Sequence, residues 1–209
     1  MADQLSTKLV GRWLCAALLT LCGSAPVKAE VLENGAEDAR MLVEELHNAL
    51  LAAKDIEGFT ARAARLEPQI LERFDLPRIG RISIGREWRK LDDAQREAYL
   101  QQLGTLVVAT YADRFDTPNP LRFVTQDVAA VKNGFVVKTT LERKGEDAVT
   151  LDYFVRSNRI FNVVANGVSD LSLRRADYSS VIKQEGFGAL LAHLTLKIAE
   201  YRNSPASED

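Results

Sequence analysis

The chain has 209 residues, 46% of them hydrophobic, and a formal net charge of −2 from 27 Lys and Arg against 29 Asp and Glu. That balance gives no basic surplus for nucleic acid, and the length is enough to bury a sizeable core. Two cysteines and two histidines leave little material for disulfides, thiol chemistry or a metal centre.

The first 29 residues read as a secretory signal peptide. Lys8 and Arg12 precede an apolar run, Trp13 to Cys22, and Val27-Lys28-Ala29 puts small side chains where a signal peptidase reads them. Cleavage is expected before Glu30, and the run is too short to remain as a membrane span. A lipoprotein through Cys22 is disfavoured because Leu21 stands where a small residue is needed. Both Cys15 and Cys22 lie in this segment, so the product would contain no thiol. Losing Lys8, Arg12 and Lys28 against Asp3 takes the net charge from −2 to −4. A single α+β domain is expected over 30–202, exported from the cytoplasm, with a disordered polar tail over 203–209.

The first half of that domain has helical periodicity. Glu37 to Ala53 carries Leu42, Leu46, Leu50 and Ala53 on one side. Asp55 is a candidate cap for a second helix, whose apolar positions Phe59, Ala63, Leu66, Ile70 and Phe74 keep step through Pro68, where a kink or restart is expected. Asp75 and Pro77 open a short third helix. Asp92 with Gln95 three residues later is a capping-box pattern for a long fourth helix. Its stripe of Leu100, Leu103, Val107 and Tyr111 is widened by Tyr99, Leu106 and Val108, so it needs partners on more than one side. Pro118-Asn119-Pro120 stops it.

The second half switches to strands. Runs at Leu121–Ala129, Phe135–Arg143, Val149–Arg156 and Arg159–Val168 are separated by short turns, which predicts a four-stranded antiparallel meander. Several runs are apolar on both sides of the pleat, so both faces are expected to be covered at least in part. After Gly167, two helices follow at about Leu173–Gln184 and Phe187–Tyr201, punctuated by Gly186. The fold class is therefore α+β: a helical N-terminal half and C-terminal helices around the sheet.

Catalytic and cofactor motifs do not assemble. His47 and His193 have no ligand partners at suitable spacing, and no phosphate loop, dinucleotide fingerprint or nucleophile elbow is present. No cofactor, no metal and no enzymatic activity are expected. An isomerase or hydrolase would need a buried carboxylate, for which the strand residues Asp127 and Asp152 are the nearest candidates, although strand acids usually face water. Arg78, Arg81, Arg86, Arg89 and Lys90 cluster around the short helix against Glu87 alone. They form either a solvated face or a positive rim for phosphate headgroups or an acidic surface.

The segment Phe74-Asp-Leu-Pro-Arg-Ile-Gly-Arg-Ile-Ser-Ile-Gly-Arg-Glu-Trp-Arg89 resembles the F-D-φ-x-x-φ-x-R-x-x-φ-G-x-x-W-R stretch of the MlaC-like proteins, also called the toluene-tolerance family. These are periplasmic lipid-binding components of ABC transport systems. The resemblance continues through Gln95-Arg96, Leu103, Thr110-Tyr111 and Gly167-Val168-Ser169, and ends with Val181 to Leu191. Asp170 to Tyr178 and the Asn162 that replaces a common Asp depart from the phospholipid branch and look closer to the hopanoid-associated HpnM branch.

The resemblance implies a monomeric shuttle that carries a hopanoid or phospholipid in an apolar cavity between sheet and helices. It implies as partners an inner-membrane transporter and an outer-membrane acceptor complex, and a part in outer-membrane maintenance. Candidate lining residues from the helices are Ile79, Ile82, Leu103, Leu106, Val107 and Tyr111, with Trp88 at a pocket mouth. From the sheet they are Val137, Leu151, Tyr153, Val155, Ile160 and Val164. A mostly apolar cavity suits a carrier better than a catalyst, and an adaptor without ligand would instead have a filled core.

Overall fold

A computed structural model of the chain describes residues 25–117 and 119–204, with side chains from residue 33 onward. The helices are α1 (Ala25–Lys54), α2 (Phe59–Arg73), α3 (Leu76–Ile84), a 3-10 turn (Gly85–Arg89), α4 (Asp93–Arg114), α5 (Asp170–Glu185) and α6 (Phe187–Asn203). Between α4 and α5 lie β1 (Leu121–Val131), β2 (Gly134–Arg143), β3 (Val149–Arg156), β4 (Arg159–Ala165) and β5 (Val168–Ser169). Most of the expected leader, Pro118 and the end of the expected tail lie outside the described residues. None of the described helices is long and apolar enough to cross a membrane.

Local chemistry explains most element boundaries. Asp92 accepts from Gln95 N at 2.8 Å while Gln95 Oε1 accepts from Asp92 N at 3.0 Å, so the expected capping box opens α4. Asp75 accepts from Arg78 N at 3.1 Å and starts α3. Two helical expectations need correction. The residue that caps α2 is Gly58 at φ 80, not Asp55, and Pro68 lies inside an unbroken helix. Leu66 and Ile70 flank that proline and are both fully buried, and their packing outweighs the lost backbone bond. The first helix also begins at Ala25, well upstream of Glu37.

The sheet has five strands rather than four, in the order β1-β2-β3-β4-β5, each antiparallel to its neighbour. The extra strand arises at Asn166-Gly167, where φ values of 47° and 80° form a two-residue turn. An Asn-Gly pair is a strong hairpin signal, so the run read as continuous through Val168 folds back on itself. Ser157 and Asn158, at φ 49° and 53°, make the equivalent turn between β3 and β4.

In the cross-strand register, Phe123, Leu141, Val137, Tyr153, Val155 and Ile160 share one face of the sheet. Helices meet that face: Glu44 of α1 bonds Thr125 at 2.9 Å, and His47 stacks on Phe123 at 3.8 Å. The other face mixes exposed Arg122, Lys138 and Thr150 with the register neighbours Val136 and Phe154. That mixture is why the strands read as apolar on both sides. The wide face of α4 has several neighbours, since α2, α3 and α6 all contact it.

Two buried polar groups tie these layers together. Arg62 is 1% exposed and sits on the buried stripe of α2, between Phe59 and Leu66. Its Nε donates to Ala112 O at 2.6 Å and its Nη1 to Ile56 O at 2.7 Å. Its Nη2 lies 2.5 Å from Asp116 Oδ2, an ion-pair contact without a linear hydrogen bond. One guanidinium thus closes the α1–α2 connection against the end of α4. His47, 3% exposed, places Nε2 3.1 Å from the Tyr153 hydroxyl. Burial lowers its pKa from 6.5 to about 3, so the ring is neutral in the fold at ordinary pH.

Replacing Arg62 with Met leaves two buried carbonyls without a donor and should cost about 3 kcal/mol, read from the denaturant midpoint. For His47, the unfolded chain binds a proton near pH 6.5 and the fold resists it until about 3. Stability from this residue is therefore intact above pH 6.5 and falls as pH drops through that window, by up to roughly 5 kcal/mol. His47→Gln keeps a partner for Tyr153 but cannot titrate. Its midpoint should lie below that of the natural protein at neutral pH, and the gap should close or reverse on acidification. Parallel midpoint curves would exclude His47 as the source of acid sensitivity.

Candidate functional site

Helices fill only part of the sheet's inner face. Towards the end where β2 finishes and β3 begins, a cavity of 210 Å³ remains between the sheet, the C-terminal half of α4 and the start of α5. A water needs about 10–15 Å³ on this scale, so the space takes a dozen or more methylene-sized groups. Its wall is mostly apolar. Val107, Tyr111 and Phe115 come from α4 at helical spacing, Val149, Leu151 and Tyr153 from β3 at a period of two, and Leu171 from α5. An aromatic chain runs round it: Phe74 to Tyr111 at 5.6 Å, Tyr111 to Phe115 at 6.2 Å, Phe115 to Phe123 at 5.9 Å, then His47 and Tyr153. Burial raises the pKa of both Tyr111 and Tyr153, so these two phenols stay neutral.

Of the thirteen residues expected from sequence, Ile79, Val107, Tyr111, Leu151 and Tyr153 line this cavity. Leu103, Leu106, Val137, Val155 and Ile160 are instead buried core at the other end of the same face, beside α1 and α2. Ile82 packs against the core without reaching the cavity. Val164 points away. The register shift between Phe154 and Val155 puts Phe161 in β4 as an extra residue, so Val163 rather than Val164 stands opposite Tyr153. Trp88 is not at the mouth. It is half-buried, carries Arg96 at 5.6 Å over its ring, and borders a separate groove with Arg81, Arg86, Arg89 and Arg175.

Sequence reasoning missed the polar part of the site. Arg114, Arg143, Asp170 and Arg174 are the charged lining residues. Arg174 holds Asp170 at 2.7 Å and donates to the Tyr178 hydroxyl at 3.2 Å. Burial works against its charge, but Asp170 and Tyr178 outweigh it and raise its pKa. Arg143 reaches Glu146 at 3.5 Å, while its buried Nε has no partner among the described residues. Asn162 is a second polar wall residue. Its Oδ1 accepts from Ser169 Oγ at 3.0 Å and from Leu171 N at 3.1 Å, which fixes the entry of α5 over the cavity. The register, once known, would have exposed Arg143, since it continues the inward parity of Leu141.

The acids considered for catalysis lie elsewhere: Asp127 is exposed at the β1 bulge, and Asp152 is opposite the outward-facing Val164. Among the described residues, no group of three or more His, Cys, Asp or Glu is placed to hold a metal.

A solved structure of the phospholipid-binding protein from Ralstonia solanacearum, in complex with a phospholipid, shares this fold with a TM-score of 0.69. It is 22% identical in sequence, and the match covers 78% of this chain and 98% of that one. No curated protein matches the chain. The family described as MlaC protein matches residues 40–195. That span is well over half of the sequence, and the chain belongs to the MlaC protein family.

Proposed function

We propose that this protein is a non-catalytic phospholipid carrier that holds an acyl tail in the cavity and leaves the headgroup at its charged rim. The observation that carries the reading is the combination of a 210 Å³ apolar hollow with guanidiniums at its edge. Burial of tail surface is worth about 25 cal/mol per Å², so a chain of several hundred Å² supplies most of the binding energy. Arg143 and the exposed Arg114 then face a phosphate, to which charge-assisted hydrogen bonds can form. Membership of the family and the phospholipid in the R. solanacearum structure support the same reading.

A shuttle role, export to the periplasm and exchange with membrane transport complexes belong to this proposal. They rest on the leader-like residues 1–29 and on the family. Absence of catalysis is proposed because Asp170 is the single carboxylate among the lining residues and is held by Arg174. An adaptor with a filled core does not fit the hollow. A hopanoid is the second reading, carried by Asn162, which lines the cavity and ties down α5, and by the Asp170–Tyr178 segment. The cationic rim favours phospholipid over it.

Lipid extracted from the purified protein and identified by mass spectrometry should be diacyl phospholipid. Ala165→Trp, which fills the cavity from β4, should remove it while the protein stays folded. Arg143→Gln should retain the tail site but weaken phospholipid affinity by about tenfold. Recovery of hopanoid alone would replace the first reading with the second. A protein that carries no lipid and takes up neither class would end both.

A further inference from the structure

The α3–α5 pair carries a second feature on a side away from the cavity. Arg81 of α3, Arg86 and Arg89 of the 3-10 turn and Arg175 of α5 converge on a groove of 290 Å³ bordered by Trp88 and Gly85. All four arginines are exposed, and none has a carboxylate partner among the described residues. Their neighbours do: Arg78 holds Asp75 at 2.8 Å, Lys90 holds Glu87 at 2.8 Å, and Arg96 holds Asp93 at 2.8 Å. Local acids are thus used up on other cations, and a groove of one sign is left on a chain whose net charge is negative. The four come from three separate segments, unlike the single stripe of a solvated helix. Gly85, at φ 57°, makes the bend that brings the 3-10 turn beside α5, and a side chain there would lie 3.8 Å from the Arg175 guanidinium.

We propose that this groove docks the protein on the surface of an anionic phospholipid bilayer, with the guanidiniums taking lipid phosphates and Trp88 at headgroup level. Guanidinium forks match phosphate oxygens, and tryptophan favours the membrane–water interface. Complementary potential alone would also suit an acidic protein surface, and Trp88 beside the arginines is what points to a bilayer's headgroup level. A groove whose charged lining is all arginine matches a laterally uniform negative sheet. The geometry also links it to the cavity. Arg175 follows Arg174 on α5, and Arg81 lies two residues beyond Ile79 on α3, so the same two helices bear the groove on one side and cavity wall on another. The inference goes beyond the carrier reading and can fail without it, because phosphate binding in the groove needs nothing from the cavity.

The test is co-sedimentation of the full protein with vesicles of phosphatidylcholine alone and of phosphatidylcholine with phosphatidylglycerol. Binding is expected only to the second, and should weaken as salt is raised. Each arginine near such a surface contributes about fivefold in affinity, so Arg86→Gln, Arg89→Gln and Arg175→Gln together should weaken binding on the order of 100-fold. The corresponding triple Lys variant should retain most of it, and Arg122→Gln, on the outer face of the sheet, should match the natural protein. The triple Gln variant should still co-purify with its cavity lipid, which separates docking from carriage. Equal binding to both vesicle types, or unchanged binding by the triple Gln variant, overturns the proposal. So does binding to soluble polyglutamate through these arginines with none to vesicles, which would make the groove an acidic-protein site.

Discussion

Everything in this fold depends on how one face of a curved sheet is shared between helices. A five-stranded sheet with Phe123, Leu141, Val137, Tyr153 and Ile160 on one side must cover that side or leave it wet. The first helix covers one end and is pinned there by His47, which stacks on Phe123 and meets the Tyr153 hydroxyl. Tyr153 marks the divide: beyond it, Leu151, Val149 and Leu141 face the end of α4 and the start of α5 across the hollow. A neutral imidazole is needed at that divide because a charge there would have no counter-ion and would be desolvated by the same packing that positions it.

Such a hollow works against stability. In an ordinary core, 210 Å³ of unfilled space costs roughly 5 kcal/mol, a large share of the stability of a domain this size. Larger side chains at Ala165 or Val163 would reduce it, yet small and medium residues stand there. The compensation lies at the periphery of the cavity. Arg62 fastens α2 to the end of α4 through two backbone carbonyls and Asp116. Asn162 fastens the start of α5 to β4. Ser83 and Tyr99, joined at 2.7 Å in the interior, hold α3 to α4. Directional bonds fix how these elements meet where apolar contact alone would not.

The sequence made the elements legible because local chemistry and hydrophobic period agreed. Asp92 with Gln95, Asp75 with Pro77, and the glycine at 186 all punctuate helices where they were read. The site was harder to read because its walls come from non-local register. Both faces of β3 and β4 are partly apolar, so alternation gave no parity, and the extra residue at Phe161 inverted it between Ile160 and Val163. Periodicity also cannot tell a residue that faces a cavity from one that faces a neighbour. Leu103 and Val107 lie on one stripe of α4, yet only the second reaches open space. Asn166-Gly167 signals the fifth strand, but the strand-like run continues through Val168 and masks the turn.

Where local rules were broken, the structure shows why. A charge on an apolar stripe is a signal whenever both flanking stripe positions are apolar, and Arg62 between Phe59 and Leu66 is that case. Arg143 breaks the inward apolar parity of β2 after Leu141 and lies at the cavity rim. Pro68 lies within a helix that continues through it to Arg73. These departures divide into two physical classes. Arg62 donates to two backbone carbonyls, has Asp116 as its ion-pair partner and closes the structure. Arg143 keeps a buried N–H with no acceptor among the described residues. Leaving such a donor desolvated costs free energy that the fold alone gives no reason to bear, whereas an anionic group arriving at the rim would satisfy it. What distinguishes the two arginines is the partner: Arg62 has Asp116 at its buried end, whereas the cavity-lining Arg143 reaches only Glu146 at 3.5 Å.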